Sequence, residues 1–394
     1  VTGTDVSDIM GTLGVDGGAN LFMLNPNGII FGPNARLDVS GSFVSSTANA
    51  FTFPDGSAFS ATTPGDASLL SVNVPLGVQY GGGQRGDITN AGQLAVNPGQ
   101  ALTLFGGTVI NSGSLTAPGG TVQVLGDRVA LTDNARIDVS GETGGGTVLV
   151  GGDYQGQGTV PNALRTYVGP GVTINADALS SGNGGRVIVW ADEATGFYGN
   201  INARGGSLGG NGGFVEISGQ QNLAFNGLVD VGAVAGMAGQ LLLDPENVII
   251  TSETPGANDG ELTDNEILSG DGGSGSIFTI SNSVVNDALG SGDVEITTDE
   301  GDITQQPGAD ISWDSGNDLT LEAGNDITLN AKIEAKSDSV FPTVTITARN
   351  GSVFLNNATI NASSNSDEFG DTGFAGDIFI NARDRVVLVD SSIE

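Results

Sequence analysis

Four carboxylates beside glycine-rich turns, Asp138, Asp153, Asp192 and Glu193, are the residues whose type best suits acid–base chemistry. Paired carboxylates can cleave a glycosidic bond without histidine, one as acid and the other as base or nucleophile. An enzyme built that way would gather several carboxylates, or an arginine with carboxylates, in one groove. Solvated turn positions are the plainer reading of these four. A second acidic group, Asp259, Glu261, Asp264 and Glu266, offers the hard oxygen ligands that Ca²⁺ takes. Neither an EF-hand loop nor a glycine–aspartate nonapeptide array accompanies it. With no His and no Cys, the chain lacks imidazole bases, thiolate nucleophiles, disulfides and the commonest zinc ligands. Ser and Thr are abundant, but nucleophilic catalysis needs a base beside them. Glycine pairs such as Gly184-Gly185 lack the lysine and the strand-to-helix context of a phosphate loop. No cofactor is expected, and Ca²⁺ enters only as a counterion or at the acidic group just named.

Charge narrows the partners. The 45 acidic and 12 basic residues give a net charge of -33, which repels nucleic acid and anionic lipid surfaces. Only Lys332 and Lys336 are lysines, and no polybasic patch exists. The longest apolar runs, such as Leu21 to Leu24, fall far short of the roughly 20 residues of a membrane span. Neither nucleic acid binding nor membrane insertion is expected. The start, Val1-Thr2-Gly3-Thr4-Asp5, has neither the basic residues nor the apolar stretch of a signal peptide, which reads as a processed or truncated chain.

The elements that carry these residues announce themselves as a repeat. Val294-Glu295-Ile296, Leu319-Thr320-Leu321 and Val344-Thr345-Ile346 start at steps of about 25 residues. Each is followed by a second apolar segment, at Ile303, Ile327-Thr328-Leu329 and Val353-Phe354-Leu355, and by a third at Ile311, Ile333 and Ile360. Three brief strands per repeat, joined by Gly, Asn and Asp, suit one triangular coil of a parallel β-helix. Alternation puts Val344 and Ile346 inside and Thr345, Glu295 and Thr320 outside. Upstream, Val122-Gln123-Val124, Val148-Leu149-Val150, Val187-Ile188-Val189 and Val215-Glu216-Ile217 repeat the pattern. One longer step there contains residues 154–163, read as a loop inserted in one coil. The run Asn34-Ala35-Arg36-Leu37-Asp38-Val39-Ser40-Gly41 echoes Asn134-Ala135-Arg136-Ile137-Asp138-Val139-Ser140-Gly141, a separation of about four coils. At about 4.8 Å per coil the chain would make roughly 16 coils and a rod on the order of 75 Å. Residues 51–67, with Phe51, Phe53 and Phe59, read as an excursion that packs aromatics on the flank. Ser281 to Gly290 reads as one short capped helix. Asn357 and Asn361 head glycosylation sequons, and Asn is also the expected turn residue there.

The most specific segment is Asn25-Pro26-Asn27-Gly28-Ile29, after Leu21-Phe22-Met23-Leu24. Pro presets the second position of a tight turn and Gly permits a positive φ. This motif, with Ala35-Arg36-Leu37-Asp38-Val39-Ser40-Gly41-Ser42-Phe43 and Gly213-Phe214-Val215-Glu216-Ile217-Ser218-Gly219, resembles the filamentous haemagglutinin-type exoproteins of two-partner secretion. Leu241-Leu242-Leu243-Asp244-Pro245-Glu246-Asn247-Val248 is similar to a segment of high-molecular-weight adhesins in that group. The resemblance implies a right-handed, single-stranded parallel β-helix, all-β apart from one or two short helices. It also implies recognition in the periplasm by an outer-membrane transporter that exports the chain unfolded. Asn25, Pro26, Asn27, Gly28 and Ile29 are the matching motif positions. Two roles are open to them, shaping a coil or touching the transporter.

The resulting expectation is a secreted, non-enzymatic, adhesive or matrix-forming fibre on the outer surface of a diderm bacterium. Its partners would be the transporter, a host, matrix or carbohydrate surface, and copies of itself. Alternatives are a β-helical polysaccharide lyase or hydrolase, and a filament subunit. The expected division is 1–168, secretion-domain-like; 169–250, continuing β-helix; 251–290, an irregular junction with the helix; and 291–394, the repeat segment.

Overall fold

The computed structural model describes residues 4–52, 58–61, 77–79, 85–252, 279–337, 341–362 and 376–394. The chain winds as a parallel β-helix of three faces. Two faces share one 24-stranded sheet, and the third is made of an 8-stranded and a 4-stranded sheet. Every pairing within these sheets is parallel, and apart from one inserted strand each joins a strand to its counterpart one coil away. Register keeps like residues in line. Leu102, Val122, Val148, Val187, Val215, Leu241, Val294, Leu319 and Val344 stack as one column on the first face. All nine are buried, and each buried aliphatic side chain contributes on the order of 1.5–3 kcal/mol.

The inward and outward assignments hold. Val344 and Ile346 have no exposed surface, whereas Glu295, Thr320 and Thr345 pair in register on the outer side. Two details differ from expectation. Ala101–Asn111 and Thr121–Leu131 are single strands of 11 residues that run round a corner from the first face to the second. The corner falls at Gly106-Gly107 and Gly126, whose lack of a side chain lets the paired ladders turn without a break. The stack is also shorter than expected. Among the described residues the third face carries eight short strands from Thr12–Gly14 to Leu228–Asp230, then the helix, then four more strands. These thirteen rungs span about 60 Å. Excursions account for the difference, since they consume residues without adding rungs. For the same reason Arg36–Asp38 and Arg136–Asp138 are three coils apart rather than four.

One excursion builds a small antiparallel sheet of Ala50–Thr52, Ala58–Ser60 and Gly77–Gln79 on the flank. Phe51 packs edge-on against Phe22 with ring centroids 5.7 Å apart. Residues 53–57 and 62–67 of the expected excursion lie outside the described residues.

The helix Asn282–Leu289 begins at Ser281, whose side chain accepts from the Ser283 amide, and ends at Gly290. It takes the place of a third-face strand and buries Val284, Val285, Ala288 and Leu289 in the core. Just before it, Thr279–Ser281 pairs between Asn222–Phe225 and Val248–Thr251, although it follows both in sequence. The second face therefore holds two strands where the first holds only Gln240–Leu243. A helix is about 10 Å wide, close to two strand spacings, so the second and third faces lengthen together.

Candidate functional site

The Asn-Pro-Asn-Gly segment is a corner from the first face to the second. Leu21–Leu24 enters it and Ile29–Phe31 leaves it. Asn25 is fully buried. Its Nδ2 donates to the Asp5 carbonyl at 3.0 Å and to Ser7 Oγ at 2.8 Å, and its Oδ1 accepts from the Asn27 backbone amide at 3.1 Å. The Gly28 amide closes the turn on the Asn25 carbonyl at 3.1 Å. Gly28 has φ +124, a conformation that costs any residue with a Cβ. Gly86 of the next coil lies beneath, where a Cβ would sit 2.5 Å from the Pro26 carbonyl oxygen. Asn25 and Gly28 thus lock the turn into three coils. Pro26 is half-buried and Asn27 is exposed, so the surface of the motif is the Pro26-Asn27 edge. Ile29 is a core residue with no exposed surface.

A second site lies further along the first face and was not singled out by residue type in the sequence. Residues 151–163 leave the coil between Thr147–Val150 and Arg165–Val168 and fold back over the outer side of the first face. Under this cover sits Glu216, whose outward side chain has no exposed surface. Both its oxygens accept from the Gln155 backbone amide, at 3.0 and 3.3 Å. Gln155 Nε2 reaches Asp244 Oδ2 at 3.4 Å, and Gln155 itself has φ 51, a left-handed conformation unusual for a residue with a side chain. Burial raises the Glu216 pKa from 4.5 to about 7 against the opposing Gln155 bond, with Asp244 adding repulsion. Burial, then the charge of Asp299, raises Asp244 from 3.8 to about 6. Glu295, two rungs from Glu216 along the outward column, is also raised by burial. Around them Asp153 pairs with Arg186 at 3.0 Å, Tyr154 lies over that guanidinium, and Ile188, Leu149 and Trp190 form a small apolar cluster with Val160 and Phe214.

Beside the loop opens a cleft of about 650 Å³. It crosses the corners of four coils, at Trp190 and Asp192, at Gln220 and Gln221, at Asp244 to Glu246, and at Asp299 and Glu300. Asp192 is the one sequence candidate that lines it. Its Oδ1 accepts from Trp190 Nε1 at 3.0 Å and from Asn162 Nδ2 at 2.9 Å. Asp138 instead pairs with Arg136 at 2.7 Å, and Glu193 with Arg165 at 3.1 Å. Asp153 lies within the covering loop. The four therefore do not converge. Asp259, Glu261, Asp264 and Glu266 lie outside the described residues. Among the described residues, no three His, Cys, Asp or Glu side chains are grouped to hold a metal ion, and no helix is long and apolar enough to cross a membrane. Asn357 is a turn residue, with φ 49, and Asn361 ends the third-face strand Thr359–Asn361.

Residues 1–157 match the family model of the TPS secretion domain. The match contains the whole Asn-Pro-Asn-Gly corner, and it ends inside the covering loop. The TPS domain thus contributes Gln155, which bonds Glu216 and Asp244 in coils beyond the matched residues. No curated protein matches the chain. The match places a TPS secretion domain in the N-terminal 157 of the 394 residues, and that domain implies a cognate outer-membrane transporter.

Proposed function

We propose that the protein is exported through that transporter across the outer membrane of a diderm bacterium and serves at the cell surface as a rigid adhesive fibre. The observation that carries this reading is the union of a TPS domain with a continuous parallel stack in which strands pair from Ser7–Ile9 to Val386–Val389. Each coil contacts its neighbours only, so coils can fold in order as the chain emerges, each finished coil templating the next. The excess acidic charge keeps the rod soluble, and bound divalent ions would act as diffuse counterions. We take residues 1–168 as the secretion part, 169–250 as its continuation, 251–290 as a junction of which 253–278 lie outside the described residues, and 291–394 as a repeat segment.

At the turn we assign two separable roles. Asn25 and Gly28 hold the corner, and Pro26-Asn27 presents the exposed edge to the transporter. The test is export in cells carrying the cognate transporter, with purified folded protein compared in parallel. Asn27→Ala gives up the Asn27 Nδ2 bond to Asn25 Oδ1 at 3.1 Å and should lower export at a stability cost of about 1 kcal/mol or less, whereas Asn25→Ala, which removes a fully buried side chain bonded to Asp5 and Ser7, should lower export and cost clearly more stability. Normal export of Asn27→Ala would reject the contact role of that edge.

A further inference from the structure

We infer that the cleft beside residues 151–163 binds a neutral oligosaccharide, an assignment that rests on the adhesive reading for its biological setting but not for its chemistry. The volume of about 650 Å³ lies within the roughly 300–1,000 Å³ of ligand pockets. It crosses four coil corners, three steps of about 4.8 Å or about 14 Å along the rod, so it is elongated as an oligomer requires. Its wall is polar in a particular way. Gln155, Gln157, Asn162, Gln220 and Gln221 supply amides that donate and accept, and the carboxylates at the same corners accept. A sugar hydroxyl both donates and accepts, so it can satisfy either kind of group. Among the described residues no Lys or Arg lines the cleft; the neighbouring cation, Arg349, reaches Asp299 Oδ1 at 3.9 Å and faces the carboxylates of Asp192, Asp244, Glu246, Asp299 and Glu300, so an anionic sugar would still meet a net negative wall.

The wall is also organised before any ligand arrives. Asp192 is held by two donors, the Trp190 indole and the Asn162 amide nitrogen. Asn162 Nδ2 also donates to the Gly156 carbonyl at 3.0 Å, so one amide ties the covering loop to the Asp192 corner. A bare cation fits less well, since the carboxylates are spread over successive corners and form no group that could hold a metal.

The test uses purified full-length protein on an array of neutral hexose and N-acetylhexosamine oligomers of several lengths, beside uronate- and sulfate-bearing fragments. Hits are then titrated by calorimetry with and without EDTA. The expected result is binding of a neutral oligomer, insensitive to EDTA, with the sugar recovered intact. Gln221→Ala and Glu300→Gln alter exposed lining residues and should each weaken binding roughly three- to tenfold, the worth of one hydrogen bond. Absence of any neutral ligand, equal binding of anionic fragments, loss with EDTA, cleavage of the sugar, or full affinity in both variants would each overturn the assignment. Because the assay needs neither export nor cells, its failure leaves the secretion reading standing, and failed export leaves the cleft assignment standing.

Discussion

Replacing Glu216 by glutamine should stabilise the protein above neutral pH and do little in mild acid. Glu216 is fully buried and its pKa is raised from 4.5 to about 7, first by burial. One pKa unit is about 1.36 kcal/mol, so the ionised side chain costs the folded state about 3 kcal/mol, an upper bound because Asp244 titrates with it. The sign follows from proton binding. Between pH 4.5 and about 7 the folded protein holds a proton that the unfolded chain has released, so stability falls as pH rises through that window and is lowest above it. Glutamine removes the charge, and its carbonyl oxygen can still accept from the Gln155 amide. The difference in unfolding free energy between Glu216→Gln and the parent should be near zero at about pH 4, about 1 kcal/mol at about pH 5, and reach about 3 kcal/mol in favour of the variant at about pH 8. Urea unfolding of both proteins across that range, followed by tryptophan fluorescence and far-ultraviolet circular dichroism, measures it. A variant that is equally displaced at both ends of that range, or less stable at high pH, would refute the reasoning.

Three further outcomes follow from the fold. Val344→Asp places a carboxylate in the sealed interior column and should cost at least about 4 kcal/mol, whereas Thr345→Asp, one residue along on the outer side, should cost under about 1 kcal/mol; denaturation midpoints of the pair decide this. Ser281→Ala removes the side chain that accepts from the Ser283 amide and should cost about 1 kcal/mol, seen as faster amide exchange in the helix Asn282–Leu289. Added NaCl should raise the melting temperature, and millimolar Ca²⁺ should do so at lower ionic strength, because a net charge of -33 repels itself along the rod; a melting temperature indifferent to both would contradict this.

The repeat was legible because a parallel β-helix places one residue type at one height in every coil. Val294, Leu319 and Val344 recur at an even step and occupy one column, so spacing alone gave the register. The capped helix was legible too, since Ser281 and Gly290 do local chemistry that needs no partner elsewhere. Its position was not. That a helix replaces a strand, and that Thr279–Ser281 inserts ahead of Val248–Thr251, depends on how the chain returns to the stack, which no local pattern encodes. Excursions misled the coil count in the same manner, because extra residues between repeats look like further coils until pairing is known.

The acidic site shows the same limit in chemical form. Glu216 and Leu242 occupy equivalent outward positions in adjacent coils, and on alternation alone both read as solvated. What distinguishes Glu216 is a loop that starts about 60 residues earlier and bonds it through a backbone amide, and a backbone amide has no sequence signature. Only the left-handed Gln155 and its flanking glycines, Gly151 with φ +77 and Gly156 with φ +63, hint at a sharply folded cover. A carboxylate buried by a distant segment is destabilising at the pH where it ionises, but it accepts the Gln155 amide, which a leucine could not do. The amide so held belongs to Gln155, whose side chain touches Asp244 at the edge of the cleft. Glu216→Gln should keep the loop in place, whereas Glu216→Leu would leave the Gln155 amide unpaired and should loosen residues 151–163. Amide exchange in that loop should therefore stay unchanged in the first variant and quicken in the second; quickening in both would mean that the charge itself, not the hydrogen bond, holds the cover.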